Sequence, residues 1–427
     1  VSGTATDADV LVAGAGPAGV AVAVALAAAR PDLVRRGRIV CLDRARFPRE
    51  KPCGGGLTGH ARAALETLGL AVRVPLVACR TGRIVYGAAA RAVPLAQPVD
   101  VVRRAELDAD LVAQARARGV TVLEGEGVAG YAVDEASATV TVTTGGGRRL
   151  TARVLVAADG AGSRIRQALV AGDRHAPARP LRLFKHEVTA PPALAADMGE
   201  AMIYDFTPMD EGLRGYVWLF PVAGGRVNVG AMHYPSRRLG GAAVTRILDR
   251  ALGRYGIRLP SAARGWPAWP YARRARIAAP HVIAVGDAAG IDALTGEGIA
   301  VGLEHGPLAA SAIARALDSG DFSFDGFAAA VRAAVVGREL ALDGRLAAML
   351  YAPRGFGVWL SLVMFDARMR ALYAARVCGS AVLADRPGAL VAALGRHALA
   401  APVRLARLGR ASRAGAAAAA VASASTS

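Results

Sequence analysis

Three short glycine turns, each closing an apolar run, carry the chemistry for which this sequence can be read. The first is Gly14-Ala15-Gly16-Pro17-Ala18-Gly19, directly after Val10–Ala13. Gly14 permits a tight turn, Gly16 lets a pyrophosphate approach the backbone, and Gly19 lets helix and strand pack closely. A helix opening at Pro17 would turn free N–H groups and a partial positive charge toward that pyrophosphate. Asp43 lies 24 residues after Gly19, placed to accept hydrogen bonds from ribose hydroxyls, with Arg44 beside it. Taken alone, such a turn can also simply close an ordinary βα unit.

The second turn is Asp159-Gly160, followed by Ser163 and Arg166, and the third is Gly286-Asp287. Asp287 is placed to bind the hydroxyls of a ribityl chain. The N–H groups of Gly298 and Ile299 would face a flavin pyrimidine oxygen, where negative charge develops on reduction. Singly, each dipeptide is most often only a turn. Three buried strands, each ending in the right turn in the right order, read as a site for FAD. The set resembles the FAD-dependent hydroxylase superfamily, the aromatic-hydroxylase-like flavoproteins. Arg104, followed by Leu107-Asp108, matches the arginine with which that superfamily contacts FAD, and Val128 joins the expected contacts. There is no second glycine fingerprint, so a layout with a separate nicotinamide domain is disfavoured.

Two further segments narrow the resemblance. They are Phe47–Leu57, FPREKPCGGGL, and Tyr216–Pro221, YVWLFP, the latter followed by Asn228-Val229-Gly230. Together they resemble the geranylgeranyl reductase family, which saturates double bonds in polyprenyl chains, from the N-terminus to about residue 320. The resemblance implies that Pro52, Cys53, Gly54 and Gly55 lie against the flavin. It also implies that Tyr216, Trp218, Phe220 and Pro221 line an isoprenoid pocket. The residues themselves agree. Successive glycines let a backbone lie flat on a ring, and Tyr216, Trp218 and Phe220 alternate along a strand and so share one face. Aromatic rings suit a hydrocarbon chain, although an ordinary sheet core would read the same.

Cys53 is the candidate catalytic residue: a thiol beside the flavin that would donate the proton completing alkene reduction. A thiol ordinarily keeps its proton at neutral pH, and a small apolar filler is the alternative reading. Lys51 holds either the loop or a phosphate, or is simply exposed. Ala293 replaces a proline of the family and Met232 a glycine, where Met232 would intrude; both bear on chain length and substrate class.

The expected reaction is transfer of hydride from reduced FAD to one alkene carbon, with Cys53 or a water protonating the other. A monooxygenase or halogenase on the same scaffold, and a membrane-docked flavoprotein passing electrons to a quinone, are the alternatives. A lipid-binding flavoprotein without catalysis is a third. The substrate is expected to be an isoprenoid or other apolar small molecule, and the electron donor NADPH or a reduced carrier.

The elements that must position these residues define an α/β fold. An FAD-binding Rossmann-like domain is assembled from residues 1–75, 99–170 and 276–324. An inserted antiparallel sheet from residues 76–98 and 171–275 supplies the substrate pocket. A helical region follows at 325–413, and a disordered alanine–serine tail at 414–427. Val10–Ala29 is 20 apolar residues long, yet its glycines and Pro17 break it into strand, turn and helix rather than a membrane span. The formal net charge is +18, and only Lys51 and Lys185 among the basic residues are lysines. No basic recognition helix or zinc spacing accompanies the charge, so nucleic acid is not an expected partner. Gly355–Phe365 either lies on a membrane surface or is a buried helix of the C-terminal region, and the basic run Arg396–Arg413 either touches anionic lipid or is a solvated face. Four cysteines without a CxxC pair imply neither disulfides nor a metal site. The expected location is cytoplasmic, either free or peripheral on the inner face of the membrane.

Overall fold

The computed structural model describes residues 7–234, 239–262, 264–352 and 355–424. The first six residues of the expected FAD domain and the last three of the expected tail lie outside it.

The apolar runs that end in glycine turns become neighbouring strands of one six-stranded sheet. Val10–Ala13 pairs in parallel with Val154–Ala157 on one side and Ile39–Asp43 on the other. Val154–Ala157 in turn pairs in parallel with Val282–Ala284. All four residues of the first strand and of Val154–Ala157 are buried, as expected of a parallel sheet covered on both faces. The three turns therefore emerge side by side from the carboxyl ends of adjacent strands, where open α/β sheets bind ligands. Helix Pro17–Ala29 packs on helix Ile299–Ser319 through small residues. A Cβ on Gly306 would come within 2.6 Å of the Ala21 Cβ, so the close crossing depends on that glycine.

The inserted region forms an eight-stranded sheet. Its centre is Arg226–His233, Gly215–Val222, Ala201–Asp205 and Leu76–Tyr86, in that order. The sheet is not wholly antiparallel, because Ala201–Asp205 runs parallel to Leu76–Tyr86. Between those two strands the chain passes through the middle segment of the FAD domain, including Val154–Ala157, and a long crossover permits parallel pairing. Strand Ala89–Val102 reaches from this sheet back to Gly56–Leu57, tying the cysteine–glycine loop to it.

Beyond residue 325 the chain is helical, as read from its sequence. The tail expected to be disordered instead continues a helix, Pro387–Ala424. Alanine has the highest helix propensity, which accounts for the difference.

Candidate functional site

One continuous cavity of about 800 Å³ runs from the three glycine turns, past the cysteine–glycine loop, to the aromatic face of the large sheet. Gly14, Gly16, Pro17, Ala18, Asp43 and Arg44 line its first end, with Val128 and Gly160 nearby. Gly14 has φ +101°, and a Cβ there would stand 2.3 Å from the Ala158 carbonyl oxygen. First and second turns thus meet at a distance that only glycine allows. The Asp43 carboxylate accepts from the Ala15 and Ala45 amides, both at 2.9 Å. It is held at the cavity wall with acceptor capacity left over.

Asp159 lines the same end, and its Oδ1 is buried without a hydrogen-bond partner. Burial pushes this carboxyl up to about 6, against the opposing bond from Ser163. A buried acceptor without a partner calls for a donor. A folded-state pKa above the unfolded value stabilises the fold at low pH, and that contribution is lost as pH rises from about 4 toward 6. FAD-free protein should therefore lose thermal stability across that interval, and Asp159→Asn should make the slope shallower. Equal slopes in thermal melts of the two proteins would remove Asp159 as the origin.

At the flavin end, Asp287 faces Lys51, with Nζ–Oδ2 at 2.8 Å. Burial opposes the Asp287 charge, but Lys51, and then Arg104 and Arg49, hold its pKa below the ordinary range. Gly298 and Ile299 line the cavity where helix Ile299–Ser319 begins. Arg104 is buried and grips Asp108 with two bonds of 2.8 and 2.9 Å, while Arg49 reaches the same carboxylate at 3.0 Å. Burial opposes the Arg104 charge as well, yet Asp108 and the neighbouring Cys53 side chain keep its pKa raised.

The cysteine–glycine loop is clamped between the two domains. Pro52, Cys53, Gly54 and Gly55 all line the cavity. A Cβ on Gly54 would lie 2.8 Å from the Phe220 ring, and one on Gly55 would lie 2.1 Å from the Val102 carbonyl. Asn228 Nδ2 donates to the carbonyls of Cys53 and Gly54, while its Oδ1 accepts from Trp218 Nε1 at 3.0 Å. The aromatic strand is thereby fastened to the loop.

Tyr216, Trp218 and Phe220 share the cavity face of strand Gly215–Val222. With Tyr204 and Phe206 they form a run of ring contacts between 5.2 and 6.4 Å. The Tyr216 hydroxyl donates to the Thr295 carbonyl at 2.5 Å and the Tyr351 hydroxyl to that of Leu294 at 2.6 Å. Two tyrosines thus fix the turn that leads to Gly298.

Four expected site residues do not line the cavity. Pro221 is displaced by the alternation that puts its neighbours there, and falls on the opposite face. Ser163 is buried as the N-cap of helix Arg164–Leu169, accepting from Arg166 N at 2.9 Å. Gly19 serves helix–strand packing, with a would-be Cβ 1.9 Å from the Gly14 carbonyl. Gly286 stands behind Ala18 and donates its N–H to His305 Nδ1 at 3.0 Å. Burial pushes His305 down to about 4, which keeps it a neutral acceptor. Met232, expected to intrude, is buried opposite Tyr216 and faces Gly296 instead of lining the cavity.

The helical region contributes walls that the spacing of motifs does not reveal, among them Tyr351, Tyr373 and Arg376. Arg376 is buried against Glu339, at 2.6 Å, and Asp343. Glu297, next to Gly298, bonds the Thr58 hydroxyl at 2.5 Å. Glu339 and Asp343 lie four residues apart on a helix that also carries Arg338 and Arg345, so nothing in the local spacing marks them as partners of Arg376.

These features fit FAD: glycines at each close approach, a buried unpaired acceptor, and carboxylates fixed at two turns. The fold and site define an α/β flavoprotein oxidoreductase. A sequence model of the FAD binding domain family matches residues 7–321, and the chain belongs to that family. A menaquinone reductase of Mycobacterium tuberculosis (strain H37Rv) is 31% identical over 370 residues, 81% of this chain and 85% of that protein. A geranylgeranyl bacteriochlorophyll reductase-like protein from Thermoplasma acidophilum shares the fold, at TM-score 0.63 and 18% identity over 94% of this chain and 98% of that one. So does a point mutant of halogenase PltM in complex with FAD, at TM-score 0.63 and 14% identity, with 96% of each chain covered.

Proposed function

We propose that this FAD-dependent oxidoreductase reduces a carbon–carbon double bond in the isoprenoid chain of an apolar substrate, with menaquinone the first to try. The observation that carries this reading is the continuity of the cavity from the flavin turns into an aromatic-walled compartment. The similarity to a menaquinone reductase over most of both chains supports it.

Bound FAD, once reduced, supplies the electron pair and one hydrogen. The remaining steps fall to the chain. Tyr216, Trp218 and Phe220 hold the hydrocarbon and exclude water. Asn228 fixes the backbone of the cysteine–glycine loop, and with it the position of the thiol. Cys53 Sγ holds the second hydrogen, as the proton that completes the reduction. The Gly55 amide donates to the sulfur at 3.4 Å, and the Arg104 guanidinium is close enough to Cys53 for the two to interact electrostatically. Negative charge left on Sγ when the proton departs is thus met by an amide donor and a nearby cation.

The test is anaerobic. Protein reduced with dithionite and freed of excess reductant is mixed with menaquinone, and both the flavin spectrum and the product mass are followed. A product two mass units heavier that survives re-exposure to air establishes chain saturation. Reversion in air would mean that only the quinone ring had been reduced, and oxygen in a product would establish a monooxygenase. Cys53→Ala should keep its flavin and slow saturation by roughly 10²-fold, the scale of a lost general acid. Unchanged turnover would remove the thiol from the reaction.

A further inference from the structure

The compartment that would hold the isoprenoid chain is walled on its far side by the C-terminal helices. Trp359, Val363, Arg370 and Leu390 line it. The outer surfaces of the same helices are unusual. Met349, Val358, Val391, Val403 and Leu405 are exposed among the described residues, Val391 by 67% and Val403 by 58%. Several of these sit together: a Cβ on Gly357 would touch Leu405 at 3.4 Å, and one on Gly355 would meet the Met349 carbonyl.

Charge distinguishes this surface as well. From Arg386 to the C-terminus the chain has six arginines and no aspartate or glutamate. In the second half of helix Pro387–Ala424, residues Val403, Arg407, Arg410, Arg413 and Ala414 are exposed at spacings of one helical face. Apolar side chains interleaved with arginines, without acids, make the pattern of a helix that lies in an interface of anionic headgroups. Among the described residues no single helix is long and apolar enough to cross a membrane. The stretches 387–397 and 400–415 would suffice together, but they meet at a 75° bend.

We infer that this C-terminal face docks on an anionic lipid bilayer, so that the cavity takes its apolar substrate from the membrane and not from water. The access half of this inference rests on the proposed isoprenoid substrate; the docking half does not. Arginines insert among the headgroups while their aliphatic stems and the valines cover acyl chains. A bilayer is preferred to a protein partner because Arg407, Arg410 and Arg413 share an exposed helical face with Val403, while Arg396 and Arg404 turn to Asp366, and the same helices carry Trp359, Val363 and Leu390 of the cavity wall.

The experiment uses the full chain with its flavin. Flotation is compared on vesicles of phosphatidylcholine alone and of phosphatidylcholine mixed with phosphatidylglycerol. The protein should float with the anionic vesicles and be released by salt. Arg407→Ser/Arg410→Ser/Arg413→Ser should weaken binding by roughly a hundredfold, taking about fivefold for each arginine near an anionic surface. Val403→Glu/Leu405→Glu should abolish flotation. Retained flavin and an unchanged melting temperature show that these exposed sites have not disturbed the fold. Reduction of vesicle-embedded menaquinone should fall in step with flotation, while that of a short-chain, water-soluble analogue should not change. Absence of flotation, or flotation indifferent to lipid charge and to both variants, overturns the inference. Docking without reduction of either substrate leaves the membrane face standing and removes the proposed function.

Discussion

Gly14→Val protein is expected to purify without flavin. The position has φ +101°, which L side chains rarely adopt, and its would-be Cβ lies 2.3 Å from the Ala158 carbonyl and 2.9 Å from Asp159 Cα. Both neighbours are backbone of a second cofactor turn, at the end of a fully buried strand. Neither can yield without opening the sheet between Val10–Ala13 and Val154–Ala157. The positive φ alone costs about 1–3 kcal/mol, and the backbone clash adds to it. The Gly14 amide, which donates to the Leu42 carbonyl at 2.6 Å, would move as well. Visible absorbance of the purified protein reads the outcome directly. Gly162→Ala is the matched control: it also lines the cavity, but its added Cβ would meet nothing within 4 Å. Flavin retained at normal occupancy in Gly14→Val would mean that the two turns need not meet.

Arg376→Met should remove about 3–5 kcal/mol of stability, the usual loss when one partner of a buried ion pair is taken away. Glu339 and Asp343 would be left buried without their cation, and Asp343 Oδ1 is unpaired even in its presence. Burial, and then repulsion from Asp292, already hold Asp343 well above the ordinary carboxyl value; burial also raises Glu297. Loss of the guanidinium pushes both further up. A raised folded-state pKa stabilises at low pH and ceases to do so as pH climbs above the unfolded value of about 4. The deficit of the variant should therefore widen on going from acid to neutral pH. Denaturant unfolding at several pH values measures it. A loss below about 1 kcal/mol, typical of exposed ion pairs, would show that water reaches the cluster.

How far the site was legible depends on how local its signals are. The dinucleotide end could be read because strand, glycine turn and helix are contiguous, and Asp43 follows at a fixed distance. The same holds for Val154–Ala157 with Asp159, and for Asp287 with Gly298. The aromatic face was legible through alternation alone, and alternation equally shows why Pro221 does not belong to it. What could not be read is whatever joins distant parts of the chain. Arg49 is defined by Asp108, Tyr351 by Leu294, and Arg376 by Glu339 and Asp343. None of these pairs leaves a mark in local spacing. Ser163 was misplaced because a helix-capping serine and a ligand-binding one look alike in sequence. The parallel pairing of Ala201–Asp205 with Leu76–Tyr86 depends on a crossover whose path no periodicity encodes.

The order of strands in the six-stranded sheet bears on how the protein is made. Val10–Ala13 leaves the ribosome well before two strands of its own sheet, Val154–Ala157 on one flank and Val282–Ala284 beyond that. At the usual pace of translation the interval before Asp287 emerges is on the order of tens of seconds. Throughout it, an apolar strand edge stays open on the nascent chain, a known hazard for aggregation. Flavin loading is then necessarily late, and fragments ending before the third turn should accumulate as colourless, chaperone-bound material.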